Sequence, residues 1–150
     1  MPTLPTDPQS CDSTLHGWQS FASVGESLFY RGQVSVGDND TAVIFTSDGQ
    51  LELVRTASVV YMDSTFRVVP SLFHQLFAIF FSSRGAAEHT FPGCFALMSR
   101  KATALYEAVF RLVHELVPQF QPSQVIADYE EAPATALRAV FGNRDLYIVE

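Results

Sequence analysis

From about residue 48 onward, apolar and polar positions follow patterns that predict strands and helices. Turn-forming residues at 82–85 separate two apolar runs, which predicts a hairpin. The predicted strands are compact runs rich in β-branched and aromatic residues, at residues 57–62, 75–81, 90–97, 125–127 and 146–149. We expect the hairpin of the second and third strands to lie beside the first strand.

Three segments are predicted to form helices, and the clearest covers residues 103–117. Its apolar residues recur at spacings of four, three and four, while charged residues face away. A shorter helix is predicted at residues 48–56 with Asp48 as its cap, and another at residues 131–141 with Pro133 in the first turn. The apolar stripe of the helix predicted at residues 103–117 consists of Leu105, Val109, Leu112 and Leu116.

Strands grouped first and then alternating with helices indicate an α/β fold. We expect a mixed sheet that is antiparallel at one side, parallel at the other, and covered by helices. The length of 150 residues suits one domain. We place that domain at residues 41–150. The segment before it, residues 1–40, has no clear apolar period and is predicted to be a flexible or weakly structured lead-in, in which residues 17–37 leave room for a short strand or two.

Composition narrows the classes of protein. An apolar fraction of 47% and a charged fraction of 17%, below the average of about 25%, exclude disorder throughout the chain. A net charge of −7 disfavours a free-standing nucleic-acid binder. Cys11 and Cys94 are too few for a disulfide scaffold, and Cys94 is predicted to be a small buried apolar residue.

Targeting signals are missing from the sequence pattern. Residues 1–16 lack the basic start and apolar centre of a signal peptide. The longest apolar run, residues 76–81, falls far short of the roughly 20 residues that span a bilayer. We therefore expect a protein that is intracellular, neither secreted nor bound to a membrane.

Two of the predicted strands end on aspartates, Asp63 and Asp128. If these strands are parallel neighbours, both carboxylates emerge at one edge of the sheet, where open α/β sheets place their ligands. Mg²⁺ prefers such oxygen ligands, and two ions about 4 Å apart can catalyse phosphodiester chemistry. An aspartate at the end of a strand is also common as a turn former or helix cap, so the spacing by itself leaves both interpretations open.

Residues 61–70 (YMDSTFRVVP) resemble the first-aspartate segment of the Mutator-like element (MULE) transposase domain, which is usually close to DGTF with a later proline. Residues 127–132 (ADYEEA) resemble its second-aspartate segment, commonly TDFE.A. The resemblance extends from Phe45 to Phe141. Further matches follow in the order of the family, at Phe73, Gln75, Leu76, Phe91, Pro92, residues 96–98, Lys101, Tyr106 and Phe110.

The resemblance implies a ribonuclease H-like fold and the catalytic core of a DDE transposase. In that family, two aspartates and a later glutamate hold two Mg²⁺ or Mn²⁺ ions, which catalyse hydrolysis and strand transfer at transposon ends. By position, Asp63 is the first carboxylate and Asp128 the second. The resemblance also implies transposon-end DNA as the partner and a nuclear or intracellular location.

The chain departs from the family pattern in several places. The catalytic glutamate of the family lies beyond the last predicted strand, so no residue here matches it, and we expect a partial domain truncated at its C-terminal end. Glu130 matches the glutamate of the TDFE.A segment and receives no catalytic role. Ser64 stands where the family usually has glycine, and Ala127 where it often has threonine.

Two functions follow as hypotheses. The chain is a fragment of a MULE transposase core that is inactive by itself, or it is a remnant or domesticated domain that acts as a protein-interaction module. An incomplete sheet would expose apolar surface, which predicts self-association or a protein partner. Without a match for the third carboxylate, the sequence leaves open whether the chain is an enzyme.

Overall fold

The structure is a computed structural model that describes residues 7–10, 23–24, 27–65, 69–82, 90–127, 130–142 and 147–149. The helices in these residues are a short 3-10 helix, Pro8–Ser10, and the α-helices α1 (Asp48–Arg55), α2 (Thr103–Leu116) and α3 (Glu131–Phe141). The strands are β1 (Ser23–Val24), β2 (Ser27–Leu28), β3 (Tyr30–Val36), β4 (Asp40–Phe45), β5 (Val59–Thr65), β6 (Gln75–Ser82), β7 (Thr90–Met98), β8 (Gln124–Ala127) and β9 (Tyr147–Val149). No helix in the described part of the chain has the length and apolar content that crossing a membrane requires.

A seven-stranded sheet in the order β3-β4-β7-β6-β5-β8-β9 forms the centre of the fold. Neighbouring strands in the part β3-β4-β7-β6-β5 are antiparallel, whereas β5, β8 and β9 run parallel to one another. Strands β6 and β7 form a hairpin beside β5, as predicted. The expected α/β fold with a sheet that is antiparallel at one side and parallel at the other is therefore confirmed.

Two strands of this sheet go beyond the sequence-based prediction: β4 was not predicted, and β3 lies where the sequence left room for a short strand or two without bounds. Strand β3 lies within the segment predicted as a lead-in, and it pairs with β4 from Tyr30 to Val36. Strand β3 lies at an edge of the sheet, and Tyr30 is its one buried residue. Tyr30, Val34 and Val36 do alternate with polar residues, but the run is short and Gly32 interrupts it, so the alternation gives only a weak strand signal.

The two faces of the large sheet have different coverings. The first, called the helix face below, packs against the α-helices and carries Ala42, Ile44, Val60, Met62, Phe77, Ile79, Phe81, Cys94, Ala96, Met98 and Val125. The other, called the second face, carries the alternating residues Val43, Phe45, Tyr61, Asp63, Leu76, Ala78, Phe80, Phe95 and Leu97. The main core of the domain thus lies between the helices and one side of the sheet.

Cys94 shows that the helix face excludes water. The residue is 1% exposed, and burial raises the pKa of its thiol to about 12. Such a thiol stays protonated at neutral pH and packs as a small apolar group. The prediction that Cys94 is a buried apolar residue is confirmed.

Helix α1 begins at a different cap from the one predicted. The N-cap is Ser47, whose side chain accepts a hydrogen bond from Gln50 N–H at 3.1 Å, while the Gln50 side chain accepts one from Ser47 N–H at 2.9 Å. Asp48 is the first helical residue and receives a hydrogen bond from Arg31. The prediction of Asp48 as the cap was wrong, because the extended backbone of Ser47 is what allows its side chain to reach the first turn.

The buried stripe of helix α2 is rotated relative to the predicted one. Leu105 and Val109 are buried as expected, whereas Leu112 and Leu116 only pack partly against the core. The remaining buried positions are Tyr106, Phe110 and Val113. The aromatic residues determine this rotation, because the rings of Tyr106 and Phe110 lie 4.9 Å and 6.1 Å from that of Phe77 on the sheet.

Candidate metal site at the ends of strands β5 and β8

Asp63, the first expected metal ligand, lies within strand β5. The sequence pattern predicts a strand that ends at Met62, whereas β5 continues to Thr65 because β6 supplies backbone partners along its whole length. That predicted end was wrong. Among the described residues, the pairing with β8, on the other side of β5, reaches Met62 and Ala127. Asp63 directly follows the last described pair of these two parallel strands.

The Asp63 side chain is exposed on the second face of the sheet. Side chains alternate along a strand, and the flanking residues Met62 and Ser64 lie on the side of the helices. Its Oδ1 atom accepts a hydrogen bond from Ser64 N–H at 2.9 Å. A carboxylate that faces solvent is the hard oxygen donor that Mg²⁺ and Mn²⁺ bind.

Asp128, the second expected ligand, lies outside the described residues. The structure does describe the strand before it, and that strand, β8, is the parallel neighbour of β5. Met62 and Ala127 are partners across the two strands, and each immediately precedes an aspartate in the sequence. The condition on which the expected site depends is therefore met, while the place of Asp128 beside Asp63 stays a prediction.

A comparison with protein families bears directly on this segment. The family model for the MULE transposase domain matches residues 59–147, more than half of the chain. The chain belongs to the MULE transposase domain family. The matched span begins with β5 and reaches the first residue of β9, so it contains both strands of the candidate site. No curated protein and no solved structure shows a significant match to the chain.

The described residues of this MULE domain contain one of the expected metal ligands. Within the ranges given above, no group of three or more His, Cys, Asp and Glu side chains is arranged to hold a metal ion. Mg²⁺ usually keeps several waters and is bound through one or two carboxylates. The exposed carboxylate of Asp63 suits one such position, and binding of Mg²⁺ or Mn²⁺ stays a prediction.

A buried polar cluster lies on the opposite side of β5 from the Asp63 carboxylate. Gln75 and Tyr106 are both fully buried, and Gln75 Nε2 donates a hydrogen bond to Tyr106 Oη at 2.7 Å. Burial raises the pKa of the Tyr106 hydroxyl, and its hydrogen bond with Gln75 opposes that rise. Sequence reasoning matched Gln75 and Tyr106 to the family without finding this contact. A glutamine that opens an apolar strand was the available signal.

An ion pair joins the segments that directly precede helices α2 and α3. Lys101 Nζ donates to Glu130 Oε1 at 2.6 Å, which ties the segment before α2 to the residue before α3. Glu130 is the residue that sequence analysis matched to the family motif without a catalytic role. In this MULE domain the partner of the glutamate is a lysine, and an ion pair so close to solvent contributes little to stability.

Proposed function

We propose that this MULE domain supplies the first two carboxylates of a DDE transposase centre, Asp63 and Asp128, for binding Mg²⁺ or Mn²⁺. The parallel pairing of β5 with β8 is the observation that carries the proposal, because each aspartate directly follows one member of the pair Met62 and Ala127. Neighbouring strands are about 4.8 Å apart. If the pairing continues by one residue, both carboxylates are within reach of one ion.

The order of the strands supports a finer assignment of the fold. The five strands from β5 onward lie in the order β7-β6-β5-β8-β9, with the first three antiparallel and the last two parallel to β5. Helices α2 and α3 precede β8 and β9 and pack on the same face. We propose that this arrangement is a ribonuclease H-like fold.

The chemistry follows from the two carboxylates. Asp63 presents its carboxylate to solvent directly after the last described pair of β5 with β8, and an ion held by such a carboxylate is completed by phosphate oxygens and waters. Bound divalent ions would activate a nucleophile and stabilise the leaving oxygen of a phosphodiester. No residue of the sequence matches the third carboxylate of the family, so we expect this chain by itself to bind metal without cleaving DNA. Transposon-end DNA is the partner that this function requires.

Binding of Mn²⁺ to the ¹⁵N-labelled protein tests the proposal. We expect Mn²⁺ to broaden the amide resonances around Asp63 and Asp128 before any others, because paramagnetic broadening acts locally. Asp63→Asn should weaken this binding by at least about tenfold, since it removes a charged ligand. Asp38→Asn is the matched control, because Asp38 is an exposed aspartate in the turn between β3 and β4. Equal binding by the Asp63 variant would refute the proposal.

A protein-interaction module is the second candidate function, and the second face of the sheet favours it. Its apolar residues include Tyr61, Phe80, Phe95 and Leu97, all of which are only partly buried. A protein partner would cover the part of these side chains that stays in contact with water. Sedimentation velocity over a hundredfold range of concentration tests self-association. A monomer throughout, together with Mn²⁺ bound at Asp63, would favour the metal-binding function.

A further inference from the structure

The ends of strands β5, β7 and β8 lie at one edge of the large sheet, called the site edge below. Strands β5 and β8 run parallel, and β7 has the same direction because β6 is antiparallel to both β5 and β7. Thr65, the last residue of β5, pairs with Leu76, and the preceding residue of β6 pairs with Met98, the last residue of β7. The segments that follow β7 and β8 therefore leave the sheet at the same edge as the end of β5 that carries Asp63.

An ion pair between Lys101 and Glu130 joins these two segments. Lys101 lies shortly after the end of β7, Glu130 lies shortly after the end of β8, and Lys101 Nζ is 2.6 Å from Glu130 Oε1. Strands β6 and β5 lie between β7 and β8 in the sheet, so the pair spans the part of the site edge to which β5 belongs. Asp128 closely precedes Glu130 in the sequence. The ammonium group of Lys101 is therefore held beside the segment that carries the second expected metal ligand.

This ion pair can be exchanged without disturbing the fold. Both side chains are 37% exposed, and ion pairs in contact with water contribute little to stability. Lysine carries a compact charge on a flexible stem, and its ammonium group binds phosphate oxygens as well as carboxylate oxygens. A phosphate oxygen of a bound nucleic acid can thus take the place of the Glu130 carboxylate.

We propose that Lys101 binds a phosphate of the DNA backbone at the site edge and that Glu130 competes with this phosphate for Lys101. The chain has a net charge of −7, which opposes the approach of DNA, so a cation beside the candidate metal site supplies attraction where it is needed. Before DNA binds, Glu130 occupies the place of the phosphate oxygen. The choice of DNA as the partner rests on the proposed function, whereas the exchange of Glu130 for a phosphate goes beyond it.

Binding of a short fluorescein-labelled DNA duplex of mixed sequence, measured by anisotropy without divalent ions, tests the exchange. Phosphate contacts do not depend on base sequence, so such a duplex is a sufficient probe. We expect Lys101→Gln to weaken binding about tenfold and to reduce the slope of log K against log salt by about 0.9, because one phosphate contact is lost. We expect Glu130→Gln to strengthen binding by up to about fivefold, because Lys101 no longer has a competing partner.

The double variant separates this exchange from a general effect of charge. Removal of any carboxylate makes the chain less negative, and this effect would persist when Lys101 is absent. If Glu130 acts through Lys101, Glu130→Gln should give no gain in the Lys101→Gln background. Arg55→Gln and Glu52→Gln are the matched controls, because these residues form an exposed ion pair at the end of α1 that precedes β5, at the opposite edge of the sheet. A gain that persists in the double variant, or equal effects in the control pair, would overturn the proposal.

Mn²⁺ binding separates failure of this proposal from failure of the proposed function. The DNA assay contains no divalent ion, so its result does not depend on a metal at Asp63. If wild-type protein binds no Mn²⁺ at Asp63, the proposed function fails, and the DNA assay still decides whether Lys101 exchanges Glu130 for a phosphate. If Mn²⁺ binds at Asp63 but Lys101→Gln binds DNA as tightly as wild type, or no variant binds DNA, the role of Lys101 is refuted and the metal site remains.

Discussion

The two faces of the large sheet differ in how much water reaches them, although they are built from the same strands. On the helix face, Phe77 and Met98 are 1% and 0% exposed, and aromatic rings pack edge-on between sheet and helices. On the second face, Phe80 and Phe95 are only partly buried, and Asp63 is exposed. Burial of apolar surface is the main source of stability, so the helix face contributes most of it.

This difference separates the residues that stabilise the fold from the residue proposed to bind metal. Met62 and Asp63 are adjacent in β5, yet one packs in the main core and the other faces solvent. The alternation of side chains along a strand places them on opposite faces. A substitution on one face should therefore change stability, and a substitution on the other should change function with little effect on stability.

The largest expected loss of stability is at Phe77, and Phe80 on the other face of strand β6 is the residue to compare with it. We expect Phe77→Ala to lower the free energy of unfolding by about 3–5 kcal/mol, because it leaves a cavity among fully buried rings. Phe80→Ala, on the second face, should cost about 1–2 kcal/mol, because part of that ring is already in contact with water. Urea unfolding measures both, and equal losses would refute the asymmetry between the faces.

The second-largest loss of stability is expected at Gly93, which lies where helix α1 approaches the sheet. A Cβ atom at this position would overlap with the ring of Phe81 and lie 2.8 Å from Val54 Cγ2. Both neighbours are buried and have little room to move. We expect Gly93→Ala to cost about 1–3 kcal/mol in urea unfolding. Gly49→Ala is the control, because the nearest atom to a Cβ there is Ser47 Oγ at 3.9 Å, and it should cost no stability.

The buried thiol of Cys94 makes the helix face sensitive to high pH. Burial raises the pKa of this thiol from 9.0 to about 12. The unfolded chain therefore loses the proton at lower pH than the folded chain does, and stability falls as pH rises from about 9 toward 12. We expect this group to lower the free energy of unfolding by about 1.4 kcal/mol per pH unit in that window.

Comparison with Cys94→Ala isolates the effect of the thiol. The stability difference between wild type and this variant should change between pH 9 and pH 11, whereas it should be constant between pH 6 and pH 8. A difference that stays constant throughout would show that water reaches the thiol in the folded protein. The other titrating groups are present in both proteins and cancel.

The sequence was sufficient to predict much of this fold, because most strands and helices of the MULE domain have strong apolar patterns. Helix α3 begins and ends where predicted, at residues 131 and 141, and the antiparallel and parallel sides of the sheet are as expected. Strand β4 was not predicted, and β3 was left open as a short strand without bounds. Few residues of the edge strand β3 are buried, and β4 is a short apolar run within a polar stretch.

The candidate site was predictable only in part. The family motifs identified Asp63 and Asp128, and the two strands proved to be parallel neighbours. The contact between Gln75 and Tyr106 joins residues that are 31 positions apart, and no local pattern carries such information. The stripe of α2 was misplaced for the same reason, because the position of Phe77 on the sheet decides which side of the helix is buried.

The smallest expected effect on stability belongs to Asp63. We expect Asp63→Asn to change the free energy of unfolding by less than about 0.5 kcal/mol, because the side chain is exposed and its hydrogen bond from Ser64 N–H can also be accepted by an amide oxygen. Thermal unfolding without metal measures this change.

With Mn²⁺ present, wild-type protein should melt at a higher temperature than the variant, since an ion that binds only the folded state stabilises it. A metal-free loss as large as that of Phe80→Ala would show that Asp63 belongs to the structural part of the sheet, and the separation between the two faces would fail at the residue where it matters most.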